Sequence, residues 1–349
     1  VHFLEKHQET IKWIIWAILA LGLIWGLFIA ENGGVQPIVN GIRFGAILML
    51  GAIGLTLTYR ILNFANFSHG DILLFGAYTA LSFDYLFVSL LPQIFPSLGV
   101  REAAVTLRWI AIVMAIPFGA IGAILLSLTI DRVIYQKLRQ SAAVVLVIAS
   151  FGMALFIRAL VQMFWGTGNR RYSMRIEGPH DIDLWGLIQF KITTTQIVTV
   201  VVAFVLIILL HIFLKYTKRG KSMRAMSDNV DLARVSGINT AVTVRWTWAI
   251  GAGLAAVAGV FAGLNFGAIS PNLGFFLLLP LFASVILGGI GSPYGAMLGA
   301  LVIGITQTIL IAPVTNIATA YKPGVAFLLM ILMLIIRPQG LLGRAERKG

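Results

Sequence analysis

An all-α fold, a polytopic integral membrane helical bundle with about eight to ten transmembrane helices, some broken or re-entrant, is what this sequence predicts. Three observations carry that prediction. Hydrophobic residues make up 59% of the 349 and charged residues only 11%, where a soluble domain carries about a quarter charged. The mean hydropathy is +0.93. The apolar residues fall into runs near the roughly 20 residues needed to cross a hydrocarbon core.

Taken in order, the candidate spans are 13–30, 42–59, 71–90, 109–130, 142–165, 194–214, 244–266, 274–290, 294–312 and 323–336. The first could be a cleavable leader, with Lys6 and Lys12 before it. Its length and the "ENGG" that follows favour a retained span. The third opens on a polar, Gly-containing stretch where a break is expected. Only "GSP" separates the eighth from the ninth, so they form a tight hairpin or are partly re-entrant.

The net charge of +13 suggests nucleic acid in a soluble chain. Here the basic residues sit mainly in loops between apolar runs, without aromatic interleaving, and topology explains them better. With both termini in the cytoplasm, the inner loops hold Arg60, Arg132, Lys137, Arg139, Lys215, Arg219, Lys221, Arg224 and Arg234 among others. The outer loops hold Arg101, Arg108, Arg170, Arg171, Arg175, Lys191 and Lys322. Loop 166–193 must then lie outside despite its positive charges, and its Trp, Pro and acidic residues suit a small folded loop. The absence of Cys excludes disulfides, Cys-based metal sites and thiol chemistry.

Four stretches carry information beyond apolarity. In "RAMSDNVDLARVSGIN", Ser227 or Asp228 is placed to cap a helix of about two turns, Asp231 lies in its first turn, and Gly237 suits its C-terminal end. Met226, Val230 and Ala233 share one face. So short a helix needs a support: bilayer, bundle or partner. An ordinary amphipathic linker is the alternative.

In "YRILNFANFSHGDILLFGAY", Asn63, Asn66, Ser68, His69 and Asp71 separate two apolar runs. Polar groups at membrane depth are tolerated only within protein or along a water-filled path. A pathway or gating element is one reading, and a turn with Asp71 as helix cap is the other. In "GAGLAAVAGVFAG", Gly251, Ala255, Gly259 and Gly263 recur every fourth residue, the small-residue stripe of close helix packing. Asn265 beyond them either lines a cavity or faces headgroups. In "ILGGIGSPYGAMLGA" the glycines enforce a reversal; no Lys-Ser/Thr follows, so this is no phosphate loop.

Arg43 and Arg158 fall inside apolar windows, and snorkelling is the favoured fate of both. An inward Arg158 is instead a candidate for a substrate carboxylate. The spans hold no Ser-His-Asp arrangement, HExxH motif or catalytic carboxylate pair, which disfavours a membrane enzyme.

These stretches together resemble the permease subunits of bacterial ABC importers for branched-chain and other hydrophobic amino acids. "GLTLTYRILNFANFSHGDILLFGAYTA", "RAMSDNVDLARVSGIN", "ISPNLGFFLLLPLFASVILGGIGSPYGAMLGA" and "RPQGLLG" follow one another as in that family. The resemblance implies a permease domain over 36–343, with 1–35 an additional N-terminal span and 344–349 a cytoplasmic tail. It implies a multi-pass protein of the bacterial inner membrane.

It further implies that Arg224, Asp228, Asn229, Asp231, Arg234 and Gly237 dock on a separate ATPase. Asn63, Asn66, His69, Asp71 and Asn265 are then candidates for the translocation path. ATP and Mg bind the partner ATPase subunits and no cofactor binds this chain. The partners implied are a second permease subunit (paralogue or self), two ATP-binding subunits, a periplasmic substrate-binding protein and the lipid bilayer, and no nucleic acid. A permease for urea or short amides is the near alternative. An ion-coupled secondary transporter is disfavoured because the mid-span windows are nearly free of Asp and Glu, and a passive channel because no selectivity ring is evident.

Overall fold

A computed structural model describes residues 35–99, 103–174, 178–184, 188–311, 322–337 and 339–343. The expected first span and the C-terminal tail lie outside the described residues. Eleven main helices are named here: α1 Val35–Leu62, α2 His69–Ile94, α3 Ala104–Ile130, α4 Ala143–Trp165, α5 Thr194–Tyr216, α6 Lys218–Asp228, α7 Val230–Val235, α8 Thr240–Phe266, α9 Leu273–Gly288, α10 Pro293–Ile311 and α11 Lys322–Ile336. A hairpin, β1 His180–Leu184 and β2 Ile188–Ile192, pairs antiparallel before α5. It is the small folded loop expected within 166–193.

Among the described residues seven helices are long and apolar enough to cross a membrane. The bundle is all-α, as expected. α9 and α11, with 16 and 15 residues, rise about 24 and 22 Å, short of a core about 30 Å thick. α3 runs on through a π turn at Asp131–Tyr135 and a last turn at Gln136–Leu138.

The chain divides into two compact units. One takes in the start of α1, the hairpin and the chain from residue 279 onward. Within it Gln36 clamps β2: its side chain donates to Lys191 O (3.0 Å) and accepts from Lys191 N (2.7 Å). The turn between α9 and α10 is the tight-hairpin alternative, with Ser292 N donating to Gly289 O. "RPQGLLG" folds back on that turn, Leu341 N and Leu342 N donating to Leu287 O and Gly288 O, both at 2.9 Å.

The other unit, 50–177 and 201–278, is built from the end of α1, α2–α4, the rest of α5, α6–α8 and the start of α9. Its core includes Tyr78, Tyr135, Trp248 and Phe261, all nearly fully buried. Tyr135 and Trp248 stack with ring centroids 5.3 Å apart and 1° between planes. The small-residue stripe of α8 is buried here, Ala255 completely. A Cβ on Gly251 would lie 3.0 Å from Gly54 O of α1, and one on Gly259 2.5 Å from Leu73 O of α2. Gly263 meets Ile269 and Tyr172 instead.

Candidate functional site

The connection between α1 and α2 runs inside the second unit. Phe67 N donates to Ser150 Oγ at 3.0 Å, and Ser150 lies seven residues into α4, about 10 Å along its axis. His69 Nε2 donates to Gly51 O at 2.9 Å, eleven residues and about 16 Å before α1 ends. So α2 begins within the depth of its neighbours, the break expected of the third span. Non-helical backbone at such depth must be covered by protein. It is: Asn66, Ser68, His69 and Asp71 are all buried.

These residues form a hydrogen-bonded cluster. Asn66 Oδ1 accepts from Ser68 N (3.1 Å) and Ser68 Oγ (2.7 Å). Tyr135 OH donates between Ser68 Oγ (3.0 Å) and Asn66 Oδ1 (3.4 Å). Asn66 Nδ2 is buried without a partner among the described residues. Asn63 stands apart: it is exposed with φ +53°, its N–H closing the end of α1 on Tyr59 O (2.8 Å). Asn265, in the last turn of α8, is outside this network; its Oδ1 is buried and has no partner among the described residues.

Asp71 is not the cap of α2. The N-cap position is Ser68, and Asp71 lies in the first turn. Its carboxylate accepts from Arg158 Nε (3.1 Å) and Arg158 Nη2 (3.0 Å). Arg158 therefore does not snorkel. Its side chain is 17% exposed and that of Asp71 1%. The guanidinium lies 5.1 Å from the Phe275 ring centroid. The pair costs dehydration of two charges, which two parallel bonds and an aromatic face offset. The starts of α2 and α9 meet beside it: a Cβ on Gly70 would lie 2.3 Å from Gly274 O.

A second buried carboxylate lies further along α2. Asp84 accepts from Ser173 N (2.7 Å) and Ser173 Oγ (2.8 Å). The chain after α4 thus folds inward, with Tyr172 OH donating to Ala77 O (2.9 Å) and Arg170 pairing its backbone with Ile269. Burial, then the charge of Asp84, pushes the Tyr172 hydroxyl pKa well up from its ordinary value. Asp71 and Asp84 are the acids that apolar windows conceal, and both are already satisfied.

The polar stretch after α5 is two helices. Asn229, not Ser227 or Asp228, caps the second: its side chain accepts from Leu232 N at 2.9 Å. Asp228 ends α6 and pairs with Arg60 at 3.0 Å across an exposed surface, a contact worth under about 1 kcal/mol. Gly237 closes α7 with φ +82°. Ile238 N donates to Ala233 O and Gly237 N to Arg234 O, the paired bonds of a Schellman motif. Met226 and Ala233 are buried. Arg224, Asp231 and Arg234 are exposed, the last two 3.7 Å apart. Leu232 and Val235 are 62% and 81% exposed, an apolar edge that the sequence reading did not single out although its spacing was legible.

Residues 37–334 match the family described as branched-chain amino acid transport system / permease component. The chain belongs to that family. It is similar to the high-affinity branched-chain amino acid transport system permease protein LivH of Salmonella typhimurium, 32% identical over 316 residues, covering 89% of this chain and 96% of that one. BraD of Pseudomonas aeruginosa, a permease protein of the same description, is 32% identical over 312 residues with the same two coverages. The solved structure of PsaBC from Streptococcus pneumoniae in complex with Fab aligns with TM-score 0.45 and 14% identity, over 86% of this chain and 91% of that chain. The role of this permease is transport, not enzymatic.

Proposed function

We propose that this permease is the membrane subunit of an ABC importer that carries branched-chain or other hydrophobic amino acids into the cytoplasm. The permease domain covers 36–343. A separate ATPase drives it through α6 and α7. The observation that carries the coupling is the form of α7. It is capped at both ends, held to the bundle by Ala233, and turns Leu232 and Val235 outward. A helix of six residues does not persist alone, so it is held as a rigid edge. An exposed apolar edge flanked by Asp231 and Arg234 has the chemistry of a protein-docking surface. The excess of Lys and Arg around it supports a cytoplasmic position.

In this reading ATP and Mg reside on two partner subunits whose closure moves α7 as a rigid element. A second permease, paralogue or self, completes the path, and a periplasmic binding protein delivers the solute. In the same reading Asn66, His69 and Asp71 lie near that path, together with Arg158, which is held by Asp71.

A pull-down of the tagged chain from native membranes is expected to bring an ATP-binding protein with it. Leu232→Asp with Val235→Asp should abolish that capture while leaving the chain in the membrane. Arg234→Glu should keep membrane insertion but separate ATP hydrolysis from leucine uptake. ATPase capture and uptake at wild-type levels in these variants would remove the docking role. Uptake of urea but not leucine would move the substrate to the short amides. Uptake that survives ATP depletion and follows an ion gradient would replace the importer with a carrier.

A further inference from the structure

Where α3 ends and α8 begins, the second unit has a groove of about 430 Å³. Leu128, Asp131, Arg132, Gln136, Arg139 and Arg245 line it. Three arginines face one acid. Asp131 is committed to Arg139, whose Nη2 donates to both carboxylate oxygens at 2.6 and 2.8 Å. Arg139 is thereby pinned, with its Nε buried and, among the described residues, unpartnered. Among the described residues Arg132 and Arg245 have no ion pair, and Arg245 bonds only Ala241 O, at 3.4 Å. Two positive charges are left over in one concave place. The π turn at Asp131–Tyr135 forms this wall, and such turns re-aim side chains that an unbroken helix would align differently.

Two further features set the depth and neighbourhood of the groove. Trp246, next to Arg245, is 42% exposed and Tyr216, at the end of α5, 66%. Half-exposed Trp and Tyr mark the level of lipid headgroups. Ile121 and Leu125, 51% and 61% exposed, precede Leu128 and Arg132 at helical spacing along α3. An apolar track therefore leads into a cationic groove at headgroup level.

We propose that this groove binds an anionic phospholipid, its phosphate held between Arg132 and Arg245 and an acyl chain laid along Ile121, Leu125 and Leu128. Guanidinium forks match phosphate oxygens in pairs, and basic pockets between membrane helices suit such headgroups. Free phosphate would use the arginines but leave the apolar track bare. A lipid so bound ties the end of α3 to the first turns of α8, the helix that follows α7.

The test is native mass spectrometry of the full chain in mild non-ionic detergent, titrated with phosphatidylglycerol or with phosphatidylcholine of the same acyl chains. Phosphatidylglycerol should bind in preference. Arg132→Gln with Arg245→Gln should weaken it at least about tenfold, since both charge-assisted contacts to the phosphate are lost. Phosphatidylcholine binding should not change. Arg219→Gln with Lys221→Gln, exposed cations outside the groove, should retain wild-type binding. Equal phosphatidylglycerol binding by the groove variant overturns the proposal, as does equal loss in the control, which would reduce the effect to general surface charge. Displacement of the lipid by millimolar inorganic phosphate would make it a free-anion site and overturn the lipid assignment. Should the double variant not fold, Arg245→Gln alone is expected to lose about tenfold, and wild-type binding by it is equally fatal.

Discussion

A buried charge is costly in proportion to what it lacks, and the Asp71–Arg158 pair lacks little. Removing one member leaves the other uncompensated. Asp71→Asn or Arg158→Gln should each destabilise the fold by about 3–5 kcal/mol, whereas Asp71→Leu with Arg158→Met should recover most of that. Thermal denaturation followed by size-exclusion chromatography reads the difference. Single variants that melt with the wild type would remove the structural role. The pair was not legible in the sequence because its members stand 87 residues apart. A lone arginine in an apolar window is more often a snorkelling one, and only the inward start of α2 brings an acid within its reach. Asn66, His69 and Asp71 were legible as a group because polar residues between apolar runs need cover. Asn63 lies close to them in sequence, yet its positive φ makes it the terminator of α1.

At the scale of elements, apolar run length located the long helices because hydrocarbon thickness dictates it. It located α9 and α11 as well, but at 16 and 15 residues run length does not decide whether they cross fully. Gly237 was readable as the end of α7 because the left-handed conformation favours glycine. Three capping types stand in a row at 227–229, and the sequence alone does not single out Asn229 among them. Asn229→Ala should cost about 1 kcal/mol of local stability, and Gly237→Ala a similar amount through backbone strain. Both should quicken amide exchange across 230–238 roughly fivefold. Unchanged exchange in both would mean that packing alone sets the rigidity of α7. The glycine seam makes a separate prediction. Gly70→Val should destabilise by at least about 1–3 kcal/mol through overpacking, while Gly152→Val, with nothing within 4 Å, should leave the melting temperature nearly unchanged.

For the whole molecule, the absence of Cys makes sidedness directly measurable. One helix long and apolar enough to cross a membrane, α5, separates Asp183 from Val235 in the chain, which predicts the two on opposite faces. Asp183→Cys should react with an impermeant maleimide in intact spheroplasts, and Val235→Cys only after lysis. The reverse pattern would put α7 outside and end the proposed coupling to an ATPase. Gly70 against Gly274 bears on how the second unit can move. Interlocked side chains hold helices in register as teeth hold a gear. This seam is toothless, so a slip of a fraction of an ångström between the starts of α2 and α9 forces no rotamer change there. The same smoothness makes the contact intolerant: a single methyl at either position would wedge the two backbones about an ångström apart.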